Sequence, residues 1–245
     1  MNKEAILLQG IETLCTNDID IGTIIAPNRD QIVSLLNRYI NEIELFNPAY
    51  GLVGTNDTEE LVIKHILDSL APLGILSRLL SSLRDLTPLR EPLPKILRIA
   101  DAGSGAGLPG IPLAIAMPHC EFSLIERIGR RAGFLHNTKA ALSLSNIIIE
   151  ESEIEKAAGG RFDLVTFRAF KPLEPKMLKT LFSLCAPGGI ITAYKGRMEK
   201  IQTEMVIFKE QIAKKKEQSS EIKWEAIPYN VPFLEEERHI LVIRE

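Results

Sequence analysis

The sequence predicts an α/β protein with a mostly parallel, seven-stranded sheet, an antiparallel last strand and an N-terminal helical region. From residue 96 onward, short β-rich apolar runs alternate with helical stretches. That alternation is the pattern of a parallel sheet covered on both faces. The last connection, IPYNVPFLEEERHILVI, is too short for a helical crossover and suits a hairpin, so the final strand should run antiparallel. The first ninety residues instead space their apolar positions by three and four.

Within that helical region, NRDQIVSLLNRYINEIELF places Ile32, Leu35, Leu36, Tyr39, Ile40 and Ile43 on one helix face. NPAYGLVG should break the helix through Pro48, Gly51 and Gly54, and Thr55, Asp57 or Thr58 can cap the next one. Glu59 and Glu60 favour its first turn. That second helix, EELVIKHILDSLAPL, sets His65 and Asp68 one above the other at i, i+3. RDLTPLREPLP carries three prolines and reads as a linker, dividing a helical cap (1–90) from a sheet domain (91–245).

In the sheet domain the apolar pattern predicts strands at 96–101, 121–126, 146–151, 162–167, 188–194, 222–228 and 238–244. Helical stretches fall at about 109–117, 129–143, 153–158, 172–186 and 197–217.

At 245 residues the chain can bury a substantial core, and 45% hydrophobic with 25% charged residues is ordinary for a globular protein. Its three cysteines, Cys15, Cys120 and Cys185, form no CxxC pair, so neither a disulfide framework nor a thiolate metal site is expected. The N-terminus does not read as a secretory signal, and no run approaches the ~18 apolar residues of a membrane span. A cytoplasmic protein is expected. Net charge is −3, but residues 1–90 carry 7 Lys/Arg against 12 Asp/Glu and residues 91–245 carry 22 against 20. A polyanion would find its footing on the second part.

The stretch ADAGSGAGLPGIPLA places Gly103, Gly105, Gly107 and Gly110 between the first strand and its helix. Ligands of open α/β sheets bind outside the carboxyl ends of the strands, near the switch point. Gly105, Gly107 and Gly110 match the GxGxxG of a dinucleotide site. That frame needs the strand to run into Gly105, two residues later than the apolar pattern allows. Starting at Gly103 gives GxGxG, with Asp101 as the last strand residue. A carboxylate there is awkward beside a pyrophosphate and welcome beside a cation, which favours the sulfonium of S-adenosylmethionine over NAD. Glu126 closes the second strand and can accept from both ribose hydroxyls of either ligand; otherwise it is a surface glutamate paired with Arg127 or Lys139.

DAGSGAGLPGIPLAI resembles the first motif of the bacterial small-subunit ribosomal RNA guanosine-N7 methyltransferases, the glucose-inhibited division protein B family. HILDSL (65–70), IGRRAGFL (128–135), FDLVTFRAF (162–170), YKG (194–196) and ERHILVI (237–243) are similar to its later motifs, in order. The resemblance implies a class I S-adenosylmethionine-dependent methyltransferase fold, Rossmann-like, with an N-terminal helical extension. It implies S-adenosylmethionine as cofactor and, as partner, a guanosine of 16S rRNA in the 30S subunit or its assembly precursor. Cofactor contacts would fall on Gly103, Gly105, Leu108, Glu126, Ile154, Glu155 and Arg168. Glu153, Phe167 and Lys64 depart from the family pattern, which usually has Arg, Ser and Arg there.

Guanine N7 carries a free lone pair and needs no deprotonation, so no essential general base is expected. Positioning can then supply most of the catalysis. Arg168 would sit beside cofactor and target base, or else pair with Asp163 or Glu155. Arg130, Lys195 and Arg197 are the candidate RNA contacts, with Arg131, Lys139 and Lys200 near the same sheet edge. Lys214–Lys216 better suits a helix C-terminus. His65 and Asp68 are read as ordering the cap over the cofactor pocket, Trp224 as packing, and no metal site is expected. Two alternatives stand beside the methyltransferase: an NAD(P)-dependent oxidoreductase, and a non-catalytic rRNA-binding assembly factor.

Overall fold

The computed structural model describes residues 2–85, 96–168, 173–215 and 222–245. The proline-rich boundary at 90/91, the last two residues of FDLVTFRAF and the side chains of Lys214–Lys216 lie outside them.

The helical part runs α1 (Lys3–Asn17), α2 (Ile19–Ile25), α3 (Arg29–Tyr50), α4 (Thr58–Leu61), α5 (Asp68–Leu70) and α6 (Leu73–Asp85). Helix α3 continues through Pro48, where a break was expected, because proline in the last turn forfeits a single ladder bond. Gly51, left-handed at φ 59°, ends it, its amide bonded to the Asn47 carbonyl. Asp57 is the cap of α4, accepting from the Glu60 amide at 2.8 Å. Between α4 and α5 the chain forms a π-helical turn over Val62–Leu67, with His65 inside it and Asp68 just after.

The sheet comprises β1 (Arg98–Ala102), β2 (Glu121–Ile125), β3 (Ile147–Glu150), β4 (Phe162–Arg168), β5 (Cys185–Lys195), β6 (Lys223–Tyr229) and β7 (Arg238–Arg244). Their order is β3-β2-β1-β4-β5-β7-β6. Strands β1 to β5 pair in parallel, and β7 runs antiparallel between β5 and β6. The expected seven strands and hairpin finish are therefore present. Strand β5 begins earlier than expected, at Cys185 opposite Phe162, with a register irregularity before Leu164.

Alternate strand residues enter two cores, as a period of two requires. Ile99, Phe122, Leu124, Leu164, Ile190, Ile240 and Val242 face the N-terminal helices together with α7 (Gly110–Ala116) and α8 (Gly129–Leu142). Ala100, Val165, Phe167, Ile191, Ala193, Leu241 and Ile243 face α9 (Pro175–Leu184) and α10 (Met198–Lys215). Trp224 packs against this second core. Contrary to the expectation that no run approaches a membrane span, the helical run Thr58–Leu83 is long and apolar enough to cross one, and 72% of its apolar window is buried inside the protein.

Candidate active site

Strand order reverses between β1 and β4, and the glycine loop follows β1 at that point. The strand ends at Ala102, so the loop starts at Gly103 and the 103–107 frame is the structural one. Gly103, Gly105 and Gly107 have φ of 73°, 59° and 93°, the left-handed region that glycine enters without strain. The amides of Gly103 and Ser104 both donate to the Ile125 carbonyl, at 2.9 and 3.0 Å, which folds the loop back over the end of β2.

Two carboxylates shape this loop. Asp101 is buried, and its Oδ2 accepts from the Ser104 hydroxyl at 2.7 Å and the Gly110 amide at 3.0 Å. Its Oδ1 is buried without a hydrogen-bond partner. Asp101 therefore turns under the loop and fastens it to the start of α7, instead of standing at the cleft surface beside a cation. Burial pushes its carboxyl up to about 6, against the pull of Ser104, the Gly110 amide and Arg168. Glu126 is also buried, and accepts from the Gly105 amide at 2.9 Å and from the Ile128 amide at 2.8 Å. It pairs with neither Arg127 nor Lys139.

A cleft of about 830 Å³ opens at the carboxyl ends of β1 to β4. Gly103, Glu126, Ile154, Glu155 and Arg168 all line it, together with Arg127, Arg131, Glu153 and Lys176. Gly105 reaches it through its bond to Glu126. Leu108 is 7% exposed and packs in the core with Ala106 and Ile111, away from the lining. Glu153 pairs with Lys156 at 2.9 Å.

The three candidate RNA contacts lie off the cleft wall. Arg130 is exposed on the first turn of α8, and Arg197 is exposed ahead of α10. Lys195 is held by both Glu204 oxygens, at 2.8 and 2.7 Å. Arg131, the neighbour of Arg130, lines the cleft and donates to the Gly51 carbonyl at 3.0 Å, linking the cleft to the helical part. The turn of chain at Ile128 sets the phase of α8, which a sequence pattern does not specify.

Arg168, the last residue of β4, pairs with neither Asp163 nor Glu155. Its NH2 group lies 2.9 Å from His65 Nδ1, and its NH1 group 3.4 Å from Asp68 Oδ2. His65 and Asp68 thus meet through Arg168. Burial and the Arg168 charge lower the His65 imidazole to about 4. Tyr39, fully buried on α3, donates to the Ala106 carbonyl at 2.7 Å and ties the helical part to the glycine loop. Among the described residues no group of three or more His, Cys, Asp or Glu side chains is placed to hold a metal.

Sheet order, antiparallel finish and a glycine loop after the first strand define a class I methyltransferase fold. A SAM-dependent methyltransferase from Aquifex aeolicus shares it, with a TM-score of 0.51 over 76% of this chain and 93% of that chain, at 15% identity. The family model described as rRNA small subunit methyltransferase G, GidB, matches residues 32–240, and the chain belongs to that family. Ribosomal RNA small subunit methyltransferase G of Treponema denticola is 37% identical over 258 residues, covering 99% of this chain and 95% of the relative. The protein of the same name from Cellvibrio japonicus is 33% identical over 221 residues, covering 90% and 89%. The resemblance read from the motifs is borne out.

Proposed function

We propose that this chain transfers a methyl group from S-adenosylmethionine to N7 of a guanosine in 16S rRNA, within the 30S subunit or its assembly precursor. The observation that carries the cofactor assignment is the Glu126 carboxylate, buried at the end of β2, bonded to the Gly105 amide and lining the cleft. Two of its lone pairs are taken by backbone amides, and the others are left for ribose hydroxyls. Gly103 and Gly105 give the bare backbone that a nucleoside approaches closely. Ile154 and Glu155 supply an apolar and a polar wall after β3.

S-adenosylmethionine, when bound, supplies an electrophilic methyl group on a positively charged sulfur. Guanine N7 already carries its lone pair, so the protein has no proton to remove. Its residues need only hold base and cofactor in line, which can be worth ~7–11 kcal/mol. Arg168 lines the cleft at the end of β4, and Arg127, Arg131 and Lys176 offer charge to RNA phosphates along it. We assign residues 1–90 the role of a cap over this cleft, and place the reaction in the cytoplasm, where ribosomes are assembled.

Equilibrium titration with S-adenosylmethionine and with NAD tests the cofactor assignment. Tighter binding of S-adenosylmethionine is expected; preference for NAD would overturn it and favour the NAD(P)-dependent oxidoreductase.

A further inference from the structure

The Arg168 side chain lines the cleft, is only 14% exposed and is met by residues of the helical part. Besides His65 Nδ1 and Asp68 Oδ2, its NH1 group faces the carbonyls of Lys64 and His65, each at 3.4 Å. These carbonyls belong to the π-helical turn that also carries the His65 side chain. Asp68 is held in turn. Its Oδ1 accepts from the Tyr229 hydroxyl at 3.0 Å and lies 3.4 Å from Arg238 Nε. Ser69 is fixed as well, its hydroxyl donating to the His65 carbonyl at 2.6 Å and its carbonyl accepting from Tyr194 at 2.9 Å.

We infer that His65 and Asp68 are positioning residues that lock the Arg168 guanidinium in one orientation at the wall of the cleft, with Tyr229 bracing Asp68 from β6. This rests on the reading of the cleft as the site of methyl transfer. An arginine has five N–H donors and no acceptor. The contact with His65 Nδ1 therefore makes that nitrogen the acceptor and places the imidazole hydrogen on Nε2. The neutral ring orients the guanidinium without cancelling its charge. Asp68 is shared between two arginines, so the group keeps cationic character toward the cleft. NH1 is taken by Asp68 and the two carbonyls and one NH2 hydrogen by His65, so Nε–H and the second NH2 hydrogen are the donors left for an acceptor on the ligands of the cleft. Rotation of the guanidinium would break the contacts to both residues, so the lock is cooperative.

The test is a double-mutant cycle on the full chain. Arg168→Lys defines which quantity Arg168 controls: turnover, KM for the RNA, or cofactor affinity. His65→Leu should reproduce the same pattern at roughly 5–50-fold, because it removes the acceptor and keeps an apolar filler. Adding His65→Leu to Arg168→Lys should cost less than threefold more, since there is no longer a guanidinium to orient. His65→Asn, whose Oδ1 stands near the Nδ1 position, should recover to within about threefold of the wild type. Tyr229→Phe, which removes a bond to Asp68, should show the same pattern more weakly, and it keeps the test open should His65→Leu fail to fold.

Nitrogen-15 NMR of the arginine guanidinium groups gives a readout that needs no activity. The wild type should show resolved, slowly rotating Arg168 NH2 groups, and His65→Leu should show them averaged. Multiplicative losses in the cycle, or a folded His65→Leu protein with wild-type kinetics and an unchanged Arg168 spectrum, would overturn the inference. A wild-type protein that transfers no methyl group would overturn the reading of the cleft, and the spectra would still decide whether the lock exists.

Discussion

The Gly105 amide donates to Glu126 Oε2 at 2.9 Å, joining the glycine loop after β1 to the acid just past β2. One carboxylate thus sets the loop's shape and also faces the cleft. Glu126→Ala should weaken S-adenosylmethionine binding by about 1–3 kcal/mol, the scale of lost charge-assisted hydrogen bonds. Calorimetric titration checks this, and unchanged affinity would remove Glu126 from the site.

Gly110 is required by packing. A Cβ there would run into Leu124 Cδ2 and come within 2.7 Å of Asp101 Oδ2. Gly110→Ala should destabilise the fold by about 1–3 kcal/mol, as overpacking does. Urea denaturation measures it, and the midpoint should fall without a change in slope.

Asp101 carries a pH signature. Its folded-state value of about 6 lies above the ordinary 3.8. The folded state therefore binds the extra proton, and stability is lost as pH rises through 6. Asp101→Asn, which cannot ionise, should be more stable than the wild type at pH 8 by about 2–3 kcal/mol. The difference should vanish near pH 4. Equal denaturation midpoints at pH 8 would refute a raised Asp101.

His65 has the opposite sign. Its folded-state value of about 4 lies below the ordinary 6.5. The unfolded chain binds the proton first, so this contribution is intact above 6.5 and is lost as pH falls toward 4. Between pH 7 and pH 5 the wild type should lose about 2 kcal/mol more stability than His65→Asn. Parallel pH curves for the two proteins would contradict a buried neutral imidazole.

Much of this was legible in the sequence because it rests on short-range pattern. The strands from ILRIA to ERHILVI show as apolar runs, and the brevity of IPYNVPFLEEERHILVI forces the hairpin that turns β7 antiparallel. The positions of Gly103 and Glu126, each the residue just after a parallel strand, and of Arg168, which ends one, follow from the strand pattern. What stayed hidden depends on phase or on distance. A six-residue π-helical turn over Val62–Leu67 has too few residues to betray its winding. Arg168 lies 103 residues from His65, and nothing in the local pattern of either announces the other. The choice between Arg130 and Arg131, and the inward turn of Asp101, are set by how the chain enters α8 and α7. Strand β5 opens at Cys185, inside the stretch read as helical to 186 and ahead of the strand read from 188, because the ladder with β4 tolerates an irregularity there.

The central claim is tested most directly by methyl transfer from labelled S-adenosylmethionine to unmethylated 30S particles and to naked 16S rRNA, followed by mapping of the modified base. A single N7-methylguanosine is the result expected. Label on another base or atom, or no transfer to either substrate by a protein that binds the cofactor, would contradict it.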